Sequence, residues 1–194
     1  MNIAYLIDQK LFGGVDVFTD SLLKNWSNKD TITLYINKNY SDKDYLINKL
    51  SLFPHIRIHE YYSYKWNKFS FLIFPFILCF ITLYFYYILR NKNHDIFMAQ
   101  NGCYPGSYNV LSSIIAANYS RIKVKTMTVH HESVKPAGFA FFIHPFLDRI
   151  LVKSLDSIIT VSRATLNSLK ETSYLFLLNR LKDSLYGGYL KGIH

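Results

Sequence analysis

Residues 3–23 read IAYLIDQKLFGGVDVFTDSLL. The run 2–8 (NIAYLID) is short, apolar and ends in an acid, the pattern of a buried strand. Gly13 and Gly14 break it. Val15, Phe18, Leu22, Leu23 and Trp26 then recur at helical spacing, with Asp16, Asp20 and Lys24 between them. This is a strand, a glycine turn and an amphipathic helix, and strands alternate with helices along the rest of the chain without an internal repeat. TITLYIN (31–37) is a second strand rich in β-branched residues. Residues 42–50 read as a helix, HIRIH (55–59) as a weaker strand and DIFMAQ (95–100) as the next strand. A turn, NGCYPGS, leads into a helix over 108–118. IKVKTMTVH (122–130) is a strand, 136–153 holds loop signals and a helix, and SIITV (157–161) is a strand. Ser162 caps a last helix towards Thr172. Strands alternating with helices predict an α/β fold: a doubly wound, mostly parallel sheet with helices on both faces.

The chain has 194 residues, 50% of them hydrophobic and 18% charged, so it collapses rather than staying disordered. Lys and Arg number 22 against 13 Asp and Glu, a net charge of +9 that suits an anionic partner. The basic residues are dispersed, without an aromatic-interleaved or helix-turn-helix pattern, which disfavours nucleic acid. Two cysteines, Cys79 and Cys103, cannot build a disulfide framework or a thiolate zinc site. Cys79 reads as a packed thiol within an apolar run. The first residues, MNIAYLIDQK, do not form a secretory signal, and the expectation is an intracellular protein.

Residues 69–89 carry no charge over 21 positions. As a helix they would be about 31 Å long, enough for a bilayer core of roughly 30 Å. A single crossing, however, would put the two halves of one sheet on opposite sides of the membrane. Pro75 also suggests that the helix starts near it, leaving too short a span. The segment is expected to pack or to lie in the interface, its Phe and Tyr suited to a partly wet edge. Insertion into the membrane without crossing and a single-span membrane protein are the competing readings.

Four places carry polar or glycine residues where strands end, and ligands of open α/β sheets bind at those ends. Gly13 and Gly14 would let the backbone and a helix N-terminus approach a phosphate; on spacing alone a tight turn is the simpler account of them, since neither G-x-G-x-x-G nor a Walker Lys-Ser/Thr is present. Asn101 and Gly102 follow the fourth strand, where turn residues are ordinary. His130, His131 and Glu132 follow the fifth. Neighbouring side chains on an extended segment point to opposite sides, so the two histidines are not expected to share a metal, and His130 is the one expected to face a cleft. Ser162 and Arg163 open the last helix, where capping alone explains the serine. No metal site and no G-x-S-x-G nucleophile turn is expected.

The order of these motifs resembles the N-terminal half of GT-B glycosyltransferases, especially the retaining group called family 4. The resemblance rests on IAYLIDQKLFGGVDVFTDSLL, HDIFMAQNGCYPG (94–106), TVHHE (128–132) and DSIITVSRATLNSL (156–169), and runs from residue 2 to about 172. It implies one half of a GT-B fold: a Rossmann-like, acceptor-side domain over 1–172, followed by a linker-like tail over 173–194 that stops before a donor domain. It implies an enzyme moving a sugar from a nucleotide-sugar to a lipid-linked or saccharide acceptor in glycan biosynthesis, with the nucleotide-sugar as co-substrate and no cofactor. Gly13 and Gly14 would lie near the donor diphosphate and His130 near the transferred sugar, making His130 the catalytic candidate. Asn101, Gly102, Glu132, Ser162 and Arg163 would line the substrate site. The family's basic phosphate-binding residues and its Glu-x7-Glu motif belong to the donor domain. The chain is therefore expected to be inactive alone and to work with a separate donor-domain chain, if it is not an interrupted gene product. The family's habit of peripheral attachment predicts a place at the inner face of a membrane. A non-catalytic membrane-surface protein is the alternative.

Overall fold

The computed structural model describes residues 1–9, 13–64, 73–134, 140–172 and 181–183. At the centre lies β1 (Asn2–Ile7), paired in parallel with β2 (Thr31–Asn37) on one side and β4 (Ile96–Asn101) on the other. β3 (Ile56–Tyr61) extends the sheet beyond β2. Beyond β4 come β5 (Val124–Val129), β6 (Ser157–Thr160) and β7 (Leu181–Asp183). The order is β3-β2-β1-β4-β5-β6-β7 and every pairing is parallel, a Rossmann-like doubly wound sheet as the alternating pattern predicts. β7 brings residues of the C-terminal stretch into this sheet, pairing Leu181 with Ile158.

Parallel strands need crossovers, and right-handed crossovers fix which face each helix covers. α1 (Gly14–Lys24) and α2 (Lys43–Leu50) lead leftwards from β1 to β3. α3 (Phe74–Leu89), α4 (Tyr108–Tyr119) and α5 (Ala140–Ser154) lead rightwards to β6, and α6 (Arg163–Thr172) follows. The alternation within β1 shows both faces. Ile3, Tyr5 and Ile7 join Leu23, Leu46 and Leu50 in one core. Ala4 and Leu6 join Phe85, Ile114 and Leu151 in the other.

α3 begins with Pro75 in its first turn, where a missing N–H costs nothing. Residues 69–72, the start of the uncharged run, lie outside the described residues. The helix has 16 residues and so is about 24 Å long. Among the described residues no helix is long and apolar enough to cross a membrane. Phe74, Ile77, Ile81, Phe85 and Leu89 form its buried stripe at three- and four-residue spacing. Phe76, Phe80, Leu83 and Tyr87 stand in solvent, Phe80 at 69% exposure. Cys79 is a correction to the sequence reading. It is exposed rather than packed, because it falls between two turns of the stripe.

Phe85 is fully buried and meets the Tyr61 ring edge-on at 5.1 Å. Phe85→Ala is expected to cost about 3–5 kcal/mol of stability. Phe80→Ser, on the outer face of the same helix, should stay within about 0.5 kcal/mol. Urea denaturation of the two variants checks the difference, and equal losses would contradict the stripe.

Candidate functional site

Winding reverses at β1 and β4, and a crevice opens beyond their carboxyl ends. Strand ends lie about 4.8 Å apart. Across this edge the chain sets Asn37 at the end of β2, Asp8 after β1, Gln100 and Asn101 on β4, His130 after β5 and Ser162 after β6.

Asp8 is a hub. One carboxylate oxygen accepts from Asn37 Nδ2 at 3.0 Å. The other accepts from Asn109 Nδ2 at 3.0 Å and from the Ser107 hydroxyl. Ser107 also caps α4, accepting from the backbone of Asn109 and Val110. The end of β1 is thereby joined to the start of α4 across the crevice.

Gly13 is the N-cap of α1 and has extended backbone. Asp16 reaches back to the Gly13 N–H at 2.8 Å and closes the cap. Burial pushes the Asp16 carboxyl above its ordinary value, against the hydrogen bonds that favour its charge. Among the described residues, a Cβ placed on Gly13 or Gly14 meets no atom within 4 Å. The Asp16 and Val17 N–H groups bond the Gly13 carbonyl, so the donors this helix start offers to an anion are the N–H groups of Gly14 and Val15.

His130 is half-buried and His131 exposed. The two backbone N–H groups bond to the carbonyls of Asn101 and Gly102, at 3.1 and 2.6 Å, so the loops after β4 and β5 are laced together. His130 Nε2 lies 2.8 Å from Gln100 Oε1. The Phe18 ring of α1 stands edge-on to the imidazole at 5.0 Å. Burial, with a smaller contribution from His131, lowers the His130 pKa to about 4, so the ring is neutral at pH 7. Phe18 is four residues into α1 from Gly14, about 6 Å along the axis, so the ring contact ties His130 to the helix that the glycine turn begins.

The remaining sequence candidates take several positions. Asn101 is buried, and its amide folds back on its own loop, donating to the Pro105 carbonyl at 3.2 Å and accepting from Ser107 N at 3.3 Å. Gly102 is half-buried with open space where a Cβ would stand. Glu132 is exposed. Ser162 caps α6 by accepting from Thr165 N at 3.1 Å, and Arg163 is exposed beside it. Thus His130 meets Phe18 of the glycine-led helix, while Asn101 and Ser162 spend side-chain bonds on local structure. Asp8, Gln100, Ser107, Asn109 and Phe18 were not singled out by the sequence reading. A polar residue closing a buried parallel strand, as in NIAYLID and DIFMAQ, was the available signal for the first two. Among the described residues, no three His, Cys, Asp or Glu side chains are grouped to hold a metal ion.

No protein-family model matches this chain, and no curated protein matches it either. The fold is similar to that of solved structures. One, from Listeria monocytogenes, is provisionally named a UDP-N-acetylglucosamine 2-epimerase: TM-score 0.56, 10% identity, 88% of this chain and 42% of that one. Another, described as a UDP-N-acetylglucosamine 2-epimerase, gives TM-score 0.53 at 11% identity over 89% of this chain and 45% of that one. The chain therefore spans less than half the length of either. At such identity the likeness establishes the Rossmann-like fold.

Two predictions follow from the loops and from the histidines. Gly106 has φ +55° and its Cβ would strike Asn101 Oδ1 and the Cys103 carbonyl, so Gly106→Ala should cost at least about 1–2 kcal/mol in thermal or urea unfolding. Burial also lowers His94 to about 4, close to the value for His130. Unfolded histidine titrates at about 6.5. Between these values the unfolded chain binds more protons than the folded one, so stability falls as pH drops from about 6.5 to about 4. Above pH 7 these two groups contribute no slope. A Tm at pH 5 equal to or above that at pH 7.5 would contradict the burial of both rings.

Proposed function

We propose that this chain is the acceptor-side half of a GT-B glycosyltransferase of the family 4 type, handling a nucleotide-sugar and a glycan or lipid-linked acceptor. One observation carries the reading: Phe18, in the glycine-led helix α1 that follows β1, packs edge-on against a neutral, half-buried His130 after β5. The solved structures with this fold are described as enzymes of a nucleotide-sugar, which supports that ligand class.

In this reading residues 1–172 form the functional domain. The diphosphate lies over Gly13 and Gly14 and takes N–H donors from the first turn of α1. His130, being neutral, acts on the transferred sugar by hydrogen bonding rather than by charge. Gly102, Glu132 and Arg163 lie around the same edge and contact the acceptor, with Asn101 and Ser162 shaping the loops that carry them. Transfer also requires a second nucleotide-binding domain to hold the leaving diphosphate, since one helix start supplies few of the donors such a group needs.

A second surface extends the reading to a membrane. α3, α4 and α5 enclose an apolar groove of about 860 Å³ whose walls include Leu78, Leu83, Phe142 and Phe146. Phe142 is 76% exposed. Arg90 stacks its guanidinium over Tyr86 and Tyr87 at the end of α3, and Lys153 is exposed near the end of α5. An aromatic face with basic residues at one end suits peripheral attachment to the anionic inner face of a membrane.

The experiment is transfer from a nucleotide-sugar by the chain together with a donor-domain chain. Gly14→Val should fold normally, because its side chain meets open space, yet reduce activity strongly by blocking the diphosphate. His130→Ala should lower kcat by about 10²–10³-fold, with little effect from His131→Ala. Equal losses at both histidines would overturn the placement. For the membrane, Phe80→Ser with Phe146→Ser should reduce sedimentation with vesicles containing phosphatidylglycerol. Unchanged binding would remove that surface from the reading.

A further inference from the structure

Gln100 closes β4 at the point where the sheet reverses its winding, in register with Ile7 of β1 and Thr128 of β5. It is 2% exposed. Its side chain holds His130 through the 2.8 Å contact between Oε1 and Nε2. With the carbonyl oxygen as acceptor, the imidazole proton sits on Nε2. Nδ1 then has only a lone pair and no partner among the described residues, on a ring that is only half-buried. Phe18, edge-on at 5.0 Å and 73°, restrains the ring from α1.

The other end of the amide is the informative one. Gln100 Nε2 is buried and has no partner among the described residues. Leaving a buried amide nitrogen unpaired is costly, whereas an apolar side chain of the same shape would fill the place without that penalty. The amide is thus poorly explained by packing and well explained by the need for its carbonyl beside His130.

We propose that Gln100 is a positioning residue whose carbonyl fixes the His130 proton on Nε2, so that Nδ1 faces the crevice as an acceptor for a hydroxyl of the bound sugar. This rests on the nucleotide-sugar reading only in naming the ligand. The tautomer itself belongs to the free protein. Which ring nitrogen carries the proton is set by the bond the other partner makes, and a lone pair facing the site selects a ligand donor at that point. Loss of the fixed tautomer leaves the ring present but able to turn a donor towards the ligand instead.

The test uses the whole chain and its Gln100→Met and Gln100→Glu variants. Histidine ¹⁵N spectra should show His130 with the proton on Nε2 in the unsubstituted protein between pH 6 and 8. Gln100→Met should keep or raise Tm and give a mixture of tautomers. Gln100→Glu restores an acceptor, so it should restore the Nε2 proton while raising the pKa of the ring. In calorimetric titrations with the donor-domain chain present, Gln100→Met should weaken UDP-N-acetylglucosamine about tenfold, the scale of one hydrogen bond, leave UDP unchanged, and be rescued by Gln100→Glu. A proton on Nδ1 in the unsubstituted protein, or an unaltered tautomer in Gln100→Met, would overturn the positioning role. Equal UDP-N-acetylglucosamine affinities would overturn the contact with the ligand. Should Gln100→Met not fold, the tautomers of the other two proteins decide. Failure of UDP-N-acetylglucosamine to bind any of them would count against the nucleotide-sugar reading, with the spectra still deciding the role of Gln100.

Discussion

Everything in this fold hangs on β1 being paired on both edges with strands that wind away from it in opposite directions. β2 lies on one side and β4 on the other, and right-handed crossovers then force α1 and α2 onto one face and α3 to α5 onto the other. The loops leaving β1 and β4 must part, because their helices are on opposite faces. The crevice between them is a consequence of chain handedness, and it exists before any side chain fills it. Asp8, bonded to Asn37, Ser107 and Asn109, joins the parted loops just beyond the β1 end. Gln100 and His130 do the same between β4 and β5. The polar groups are thus positioned by rigid strands and helix starts rather than by long loops.

The two faces of the sheet differ in how completely they are covered. On one face the leucines of α1 and α2 close over Ile3, Tyr5 and Ile7. On the other, α3 contributes a single buried stripe from a helix that is apolar all round. A helix of that composition would be buried on every side in a large core or placed against another apolar medium. Here its outer aromatics and the groove shared with α5 remain uncovered. The two surfaces therefore have opposite chemistry, a polar crevice above the strand ends and an apolar flank beside it, with Tyr108 packed on the flank at the head of α4. Its ring meets Phe74 at 5.2 Å and its hydroxyl lies 2.9 Å from His144 Nε2.

The sequence by itself determined the alternation of strands and helices, because period-two and period-3.6 patterns are local properties of the chain. It also located the glycine turn, the Ser162 cap and the helix start near Pro75, each of which depends on a few neighbouring residues. Reading 69–89 as packed rather than spanning came from topology, an argument available from the order of strands alone. Tertiary structure decided which polar residues have partners and which are free. Asn101 and Gln100 are adjacent on one strand, yet one folds into its own turn and the other holds His130. The exposure of Cys79 was likewise invisible, since an all-apolar helix carries no mark of which side the sheet will take. Phe18 looked like one more core residue at helical spacing until the packing of α1 set it against His130. Such pairings join residues tens of positions apart, and only the closing of the sheet brings them within reach.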